Sequence, residues 1–240
     1  MINKNLDTIL NEQKNEFEEN QPFPHLVIDG LFEDDFLSKA IKDITTANGE
    51  HRVYNDPHLP YEDKDQLKKY TLEGHDLILN SPEHIRKVFQ FLNGPEFVGF
   101  LQELTGITDL FGDNTFRGGG VHKVNREGFL KIHIDFSRPR WDKDIYRRAN
   151  ILLYLNKDWK EDWGGHLELW DNSVKKGGKC IKKILPEFNR LVIFGTKKDS
   201  WHGHPHPLQC PEYLARWSFA TYYYSRLPSD DIHEHSTIFE

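Results

Sequence analysis

Apolar residues recur at three- and four-residue spacing through much of the first hundred positions, the period of helices with one buried stripe. Phe36, Ala40, Ile41 and Ile44 form such a stripe in a helix expected over Glu33 to Thr46. Further helices are expected over Leu6 to Glu19, around Asp65 to Leu79, from Pro82 to Phe91 and from Pro95 to Leu104. Ahead of the second, PFPHLVIDGLF has the contiguous apolar character of a short buried strand. HRVYNDPHLPYEDKDQ is polar and proline-bearing, a loop long enough to cover a pocket.

From Thr115 the pattern changes to short β-branched and aromatic runs separated by Gly, Pro, Asn and Asp. FLKIHID, ANILLYLN, HLELW, CIKKIL, RLVIF and RWSFATYYYS are the strand candidates. Strands in succession without intervening helices point to an α+β, mainly β fold. Its core would be a double-stranded β-helix, a jelly-roll or cupin-like barrel buttressed by the N-terminal helices. The chain reads as a single domain over 1–240: a mainly helical part at 1–114, the jelly-roll core at 115–225 and a loose C-terminal tail at 226–240.

Composition narrows the classes. A length of 240 residues suits one substantial core, and six Trp, nine Tyr and 16 Phe exclude a disordered chain. A net charge of −7 gives no general attraction for nucleic acid or anionic lipid. The N-terminal segment has no secretory-signal pattern and no run of 18 apolar residues occurs, so a cytoplasmic protein without a membrane partner is expected. Cys180 and Cys210 lack CxxC spacing and read as ordinary thiols. Nothing in the helical half singles out an oligomer face.

His133 and Asp135, two apart in LKIHIDF, would share one face of a strand, where they can converge on one ion. A second histidine from SWHGHPHPL would complete two histidines and one carboxylate, the ligand set of non-haem Fe(II) oxygenases. His202, His204 and His206 alternate there and all can lie on one face. In ARWSFATYYYS, Arg216, Ser218, Ala220 and Tyr222 share a side. A buried arginine beside small residues requires an anion, either a protein carboxylate or a dicarboxylate cosubstrate. Asn150, Leu152 and Tyr154 likewise share a face, so Tyr154 can add a phenol donor.

With HIDF, SWH and the arginine strand stand YLNKDW, the Gly164-Gly165 pair of WGGHLELW, and PEFNRLVIF. In order and spacing these blocks resemble the Fe(II)/2-oxoglutarate dioxygenases of the prolyl 4-hydroxylase-like superfamily, over Val121 to Ser225. PFPHLVIDGLF is also similar to the first strand of bacterial and phage members. The resemblance implies His133, Asp135 and His202 as iron ligands, His202 being favoured over His204 by its eight-residue step from Phe194. It implies Arg216, with Tyr154 and Ser218, as the 2-oxoglutarate anchor, and Asn150 as a further cosubstrate contact. Asn125 stands where many members carry a tyrosine that binds the cosubstrate, so the second contact is left open.

The implied reaction is hydroxylation of a C–H bond with O2, giving succinate and CO2, with Fe(II) and 2-oxoglutarate required and ascorbate a candidate accessory. The intact Asp135 argues against halogenation. The substrate is expected to be a peptidyl proline or a small amino-acid-like molecule, in a peptide, protein or small-molecule partner. FSRPRWDKDIYRR supplies a loop bordering the pocket, with Arg138, Arg140, Trp141, Tyr146, Arg147 and Arg148. Of these, Arg138, Arg140, Trp141 and Arg148, with His204, are the candidate substrate rim; Arg117, before three glycines, is a further rim candidate. Two alternatives stand beside this reading: a same-fold oxygenase of natural-product or other small-molecule metabolism, and a non-catalytic metal-binding sensor built on the same barrel.

Overall fold

The structure, a computed structural model, describes residues 1–44, 65–74, 81–227 and 234–240. Four helices are described: α1 (Leu6–Glu19), α2 (Asp34–Ile44), α3 (Glu83–Leu92) and α4 (Pro95–Thr105). Local chemistry sets their ends. The Asn5 side chain accepts from the Thr8 backbone N–H at 3.1 Å, a helix N-cap, and α4 carries Pro95 in its first turn with left-handed Gly106 at its end. These spans follow the apolar periodicity closely, and the strand expected before the second helix is β1 (His25–Asp29).

One expected helix is not there. Gln66–Leu72, within the stretch read as helical, is a strand, β2, paired antiparallel to β4 (Gly120–Ile134). Its apolar residues do not decide between periods, and the pairing partner does. Positions 75–79 of that stretch, residues 45 and 46 of the second helix and most of the proline-bearing loop lie outside the described residues.

Nine further strands are described: β3 (Phe111–Gly112), β5 (Tyr146–Tyr154), β6 (Leu167–Trp170), β7 (Cys180–Ile184), β8 (Arg190–Gly195), β9 (Trp201–His204), β10 (Ala215–Ser225), β11 (Ile238–Phe239), and β4 already named, which runs far beyond the FLKIHID expected from sequence. The main path is β1-β8-β5-β10-β4-β9-β6-β7, antiparallel at every pairing, with β2 and β11 added to β4 and β3 to β10. The long strand β4 is the fold line. Its first half pairs with β10 and its second half with β9, so the sheet curls back over itself into a half-barrel.

Strand alternation sorts side chains to two sides. Ala149, Ile151 and Leu153 of β5, Leu191 and Ile193 of β8, and Phe219 of β10 pack with the helices in the main core. Tyr154, Val192 and Phe194 turn the other way and meet Leu167, Leu169 and Ile184 inside the curl. The helices therefore brace the outside of one sheet and leave its inner face for the cavity. No helix among the described residues is long and apolar enough to cross a membrane. Cys180 and Cys210 are free thiols.

The end of the chain is not loose over 234–240. Strand β11 sets Ile238 opposite Ile134 and Phe239 opposite His133. The Glu240 N–H donates to the Ile132 carbonyl at 2.9 Å, and its carboxylate accepts from the Ser173 hydroxyl at 2.5 Å. Positions 228–233 of the expected tail lie outside the described residues.

Candidate metal and dicarboxylate site

His133 on β4 and His202 on β9 are direct cross-strand partners, and Asp135 follows just past the end of β4. Their ligand atoms all lie within 4.8 Å of one another. The Asp135 carboxylate stands 3.6 Å from His133 Nε2 and 3.4 Å from His202 Nε2. Each imidazole is oriented by its own strand: His133 Nδ1 lies 2.8 Å from the Lys131 carbonyl and His202 Nδ1 2.8 Å from the Ser200 carbonyl. A carbonyl only accepts, so both Nδ1 atoms carry the proton and both Nε2 lone pairs face the carboxylate. That donor set fits a divalent metal, with neutral imidazoles whose second nitrogen is tied down as in known metal sites.

Electrostatics set the same protonation. Burial and the neighbouring His202 lower the basicity of His133 and favour the neutral ring. Burial alone would raise the Asp135 carboxyl, yet the Arg147 guanidinium holds it well below the usual carboxylate range. Arg147 Nη2 pairs with Asp135 Oδ2 at 3.0 Å, and the Asn150 amide donates to the same oxygen at 2.7 Å. Arg147 Nε also donates to Asn150 Oδ1 at 2.8 Å, and the guanidinium lies 3.4 Å from the Tyr222 ring centroid and 4.8 Å from that of Phe136.

Arg147 was read from sequence only as one basic residue of a bordering loop, and the neighbouring Arg148 as part of the rim. Extending the inward alternation of Asn150, Leu152 and Tyr154 would turn Arg148 inward. A register shift between Tyr223 and Tyr224 of β10 pairs Tyr223 with Ala149 and Tyr224 with Arg147, which leaves Arg148 as the extra residue and reverses the parity. Arg147 is thus buried, whereas Arg148 donates to Ser225 Oγ and the Leu227 carbonyl and lines neither of the two cavities described below. Asn150 does face the cavity, but its amide is spent on Asp135 and Arg147 rather than left for a cosubstrate.

The triad opens into a cavity of about 210 Å³ whose far wall includes Arg216 and Ser218 of β10. Arg216 is only 4% exposed. It donates from Nε to the Gly165 carbonyl at 2.7 Å and from Nη2 to the Tyr154 hydroxyl at 3.1 Å. Among the described residues it has no carboxylate partner, so there its charge is answered only by a carbonyl and a phenol. Burial lowers its basicity, and Tyr154 opposes that shift. Gly165, at φ +75°, is required here: a Cβ would stand 2.7 Å from Leu208 and 3.0 Å from Arg216 Cδ.

His204 also faces the cavity, buried, its Nδ1 without a hydrogen-bond partner among the described residues, but it is not part of the ligand cluster. The glycine between the two histidines lets β9 approach β4, since a Cβ on Gly203 would lie 2.6 Å from the Lys131 carbonyl. Burial, Arg216 and Lys69 hold His204 neutral, and burial with Lys69 lowers His122 to about 3. Lys69 was missed with its strand; the shift in β2 between Leu67 and Lys69 brings it to the cavity wall. Asn125 is not on that wall, where the neighbouring Val124 stands instead. Phe239, from the docked end, lies 5.1 Å from the His133 ring.

Three of the rim candidates, Arg138, Arg140 and Trp141, line a second cavity of about 770 Å³, with Arg117 beside them. It shares Phe136 and Thr237 with the first.

Among known proteins, the chain is 25% identical over 193 residues to the prolyl 3-hydroxylase OGFOD1 of Mus musculus, covering 75% of this chain and 29% of that protein. The chain thus spans under a third of that relative's length. In fold it is similar to a 2OG-Fe(II) oxygenase family oxidoreductase from Burkholderia pseudomallei, with a TM-score of 0.58, 13% identity and coverage of 98% and 95% of the two chains. It is also similar to a prolyl hydroxylase from Trichoplax adhaerens, solved in complex with a hypoxia inducible factor oxygen degradation domain peptide fragment. There the TM-score is 0.55, with 16% identity and coverage of 92% and 90%. The curled sheet is therefore the double-stranded β-helix expected from the sequence. Residues 119–224 match the family model of the 2OG-Fe(II) oxygenase superfamily.

Proposed function

We propose that the chain is an Fe(II)- and 2-oxoglutarate-dependent dioxygenase that hydroxylates a C–H bond, on a peptidyl proline or a small amino-acid-like substrate. One observation carries the reading. A preoriented His133, Asp135 and His202 cluster shares a cavity with a buried arginine that has no carboxylate partner among the described residues. His133, Asp135 and His202 would hold the iron; Arg216, assisted by Tyr154 and Ser218, would receive the distal carboxylate of 2-oxoglutarate. Bound Fe(II) supplies O2 activation coupled to oxidation of 2-oxoglutarate to succinate and CO2. The protein's part is to orient the ligands through backbone carbonyls, keep Asp135 ionised through Arg147 and Asn150, and wall off water with Leu152, Leu167 and Phe194.

The reading takes in one domain across the chain, ascorbate as an accessory reductant and a cytoplasmic setting in keeping with the disulfide-poor composition. A sensor without catalysis is disfavoured, because Arg216 stands in the same cavity as the triad and has no carboxylate partner among the described residues.

The test is anaerobic titration with Fe(II) and 2-oxoglutarate, followed by the visible charge-transfer band of the chelated 2-oxo acid. The band is expected for the native chain and lost in His202→Ala; Arg216→Ala is expected to raise the 2-oxoglutarate concentration needed by at least about tenfold, as for loss of a charge-assisted bidentate contact. Failure of the native chain to give the band would refute the assignment, as would its retention in His202→Ala. Aerobic succinate release against proline-containing peptides and free amino acids then separates the two substrate classes.

A further inference from the structure

We infer that the larger cavity is a docking groove for the acidic flank of a peptide substrate, an inference that rests on the peptide form of the function proposed above. The groove and the triad cavity share Phe136, the residue after Asp135, so a chain lying in one passes directly into the other. Its walls gather Arg117, Arg138, Arg140 and Lys143 in a protein whose net charge is −7. Such a concentration of one sign in a cleft focuses the field on an incoming anion.

The groove already receives one carboxylate on a peptide segment. Residues 234–237 form part of its wall, and Glu234 lies 3.7 Å from Arg138 Nη1 and 3.5 Å from Lys143 Nζ. The segment continues into β11, so extended backbone bearing an acidic side chain is what this surface accommodates. Among the described residues, this one carboxylate leaves most of the positive charge unanswered. Arg117 and Arg140 have no carboxylate partner among the described residues. Arg138 Nε is buried with no acceptor among the described residues, although the same guanidinium donates to the Tyr146 hydroxyl at 2.5 Å.

An aromatic platform completes the groove. Trp141 is 37% exposed, lies edge-on to Phe136 at 6.2 Å and carries the Arg117 guanidinium 5.3 Å from its ring centroid. This cation–π contact leaves Arg117 with no carboxylate partner among the described residues, so its N–H groups can meet one from a ligand. At about 770 Å³ the groove is far larger than a single carboxylate needs, which favours an extended peptide over a small anion.

The test uses the full chain with Fe(II) and 2-oxoglutarate under anaerobic conditions. Fluorescent peptides that differ only in an Asp-Asp, Asn-Asn or Lys-Lys pair beside one proline are titrated by anisotropy, each also made with alanine in place of the proline. The acidic peptide is expected to bind about tenfold more tightly than the neutral one, the size of one charge-assisted contact. The preference is expected to weaken in salt, disappear in the Arg117→Gln/Arg140→Gln double variant, and shift toward the Lys-Lys peptide in Arg140→Glu. Thermal unfolding serves as the folding control.

Equal affinity for the three peptides would overturn the groove, even with every prolyl peptide hydroxylated. So would displacement of the acidic peptide by free glutamate at equal concentration, or tighter binding of a single-stranded oligonucleotide. An acid preference that persists in the alanine series, in a protein that hydroxylates none of the prolyl peptides, would uphold the groove and remove the prolyl substrate instead.

Discussion

Asp135, a proposed metal ligand, is held by residues outside the proposed ligand set. One of its oxygens takes both the Arg147 guanidinium and the Asn150 amide. Arg147 is itself held between Tyr222 and Phe136, so the carboxylate cannot rotate without disturbing a packed cation. Arg147→Leu is expected to lower Fe(II) affinity about 10- to 100-fold, the range for loss of a residue that orients a ligand, and Arg147→Lys to restore part of it. Isothermal titration with Mn(II) as a redox-inert stand-in measures this, and unchanged affinity in Arg147→Leu would dismiss the positioning role. Gly165→Ala tests the other end of the cavity. At φ +75° and with Arg216 against its Cα, an alanine costs about 1–2 kcal/mol of backbone strain and pushes on the anchor. The expected signature is weaker 2-oxoglutarate binding with metal affinity kept; a parallel fall in both would mean a general distortion.

At the scale of elements, one amide joins the apolar core and the Tyr223 hydroxyl on the Leu92 carbonyl in holding the seam between the helices and the barrel. Asn189 sits in the turn before β8 at φ +60°, buried, and its side chain exchanges hydrogen bonds with the backbone of Phe32 at 3.2 and 2.7 Å while donating to Asp34 at 2.7 Å. It ties the start of α2 to the sheet. Asn189→Ala strands a buried N–H and a buried carbonyl and places alanine in the left-handed region, so a loss of about 2–4 kcal/mol is expected in urea unfolding. A loss under about 0.5 kcal/mol, the ordinary size for a neutral surface change, would show that the seam does not depend on it.

What could be read from sequence follows the same scale. The helices at the ends of the first hundred residues and the strands β5, β8 and β10 were legible because each buries a regular stripe or alternate face. The triad and Arg216 were legible for the same reason, since two-residue spacing survives wherever a strand is regular. Strand β2 was not, because in QLKKYTL a shift falls beside Lys68, at φ +50°, and breaks the alternation that would mark a strand. Arg147 was hidden by the corresponding shift opposite β5. Strand β11 is two residues long and is defined by its partner, β4, with no pattern of its own.

For the molecule as a whole, a metal held as proposed would fasten together chain segments far apart in sequence, because His133 lies on β4, Asp135 just past its end and His202 on β9, while β11 sets Phe239 opposite His133. Binding that occurs only in the folded state adds stability by mass action, about 2.7 kcal/mol at a hundred times Kd. For a chain of this size each kcal/mol moves the unfolding temperature by about 2–4 °C, so saturating Mn(II) is expected to raise Tm by about 5–10 °C. The rise should vanish in His202→Ala and persist in His204→Ala, which distinguishes the ligand from its neighbour on the same strand. Acid should erode it, because the imidazoles must be neutral and the carboxylate ionised for the metal to bind. Asp135 adds a metal-independent effect of the same sign: a carboxyl held below its unfolded value contributes stability that is present above about pH 4 and lost as pH falls through its folded value. Scanning calorimetry with and without Mn(II) across this range separates the two, since the metal increment should fade at higher pH than the Asp135 contribution. A Tm rise that is equal in the native chain and in His202→Ala would place the metal somewhere other than this cluster.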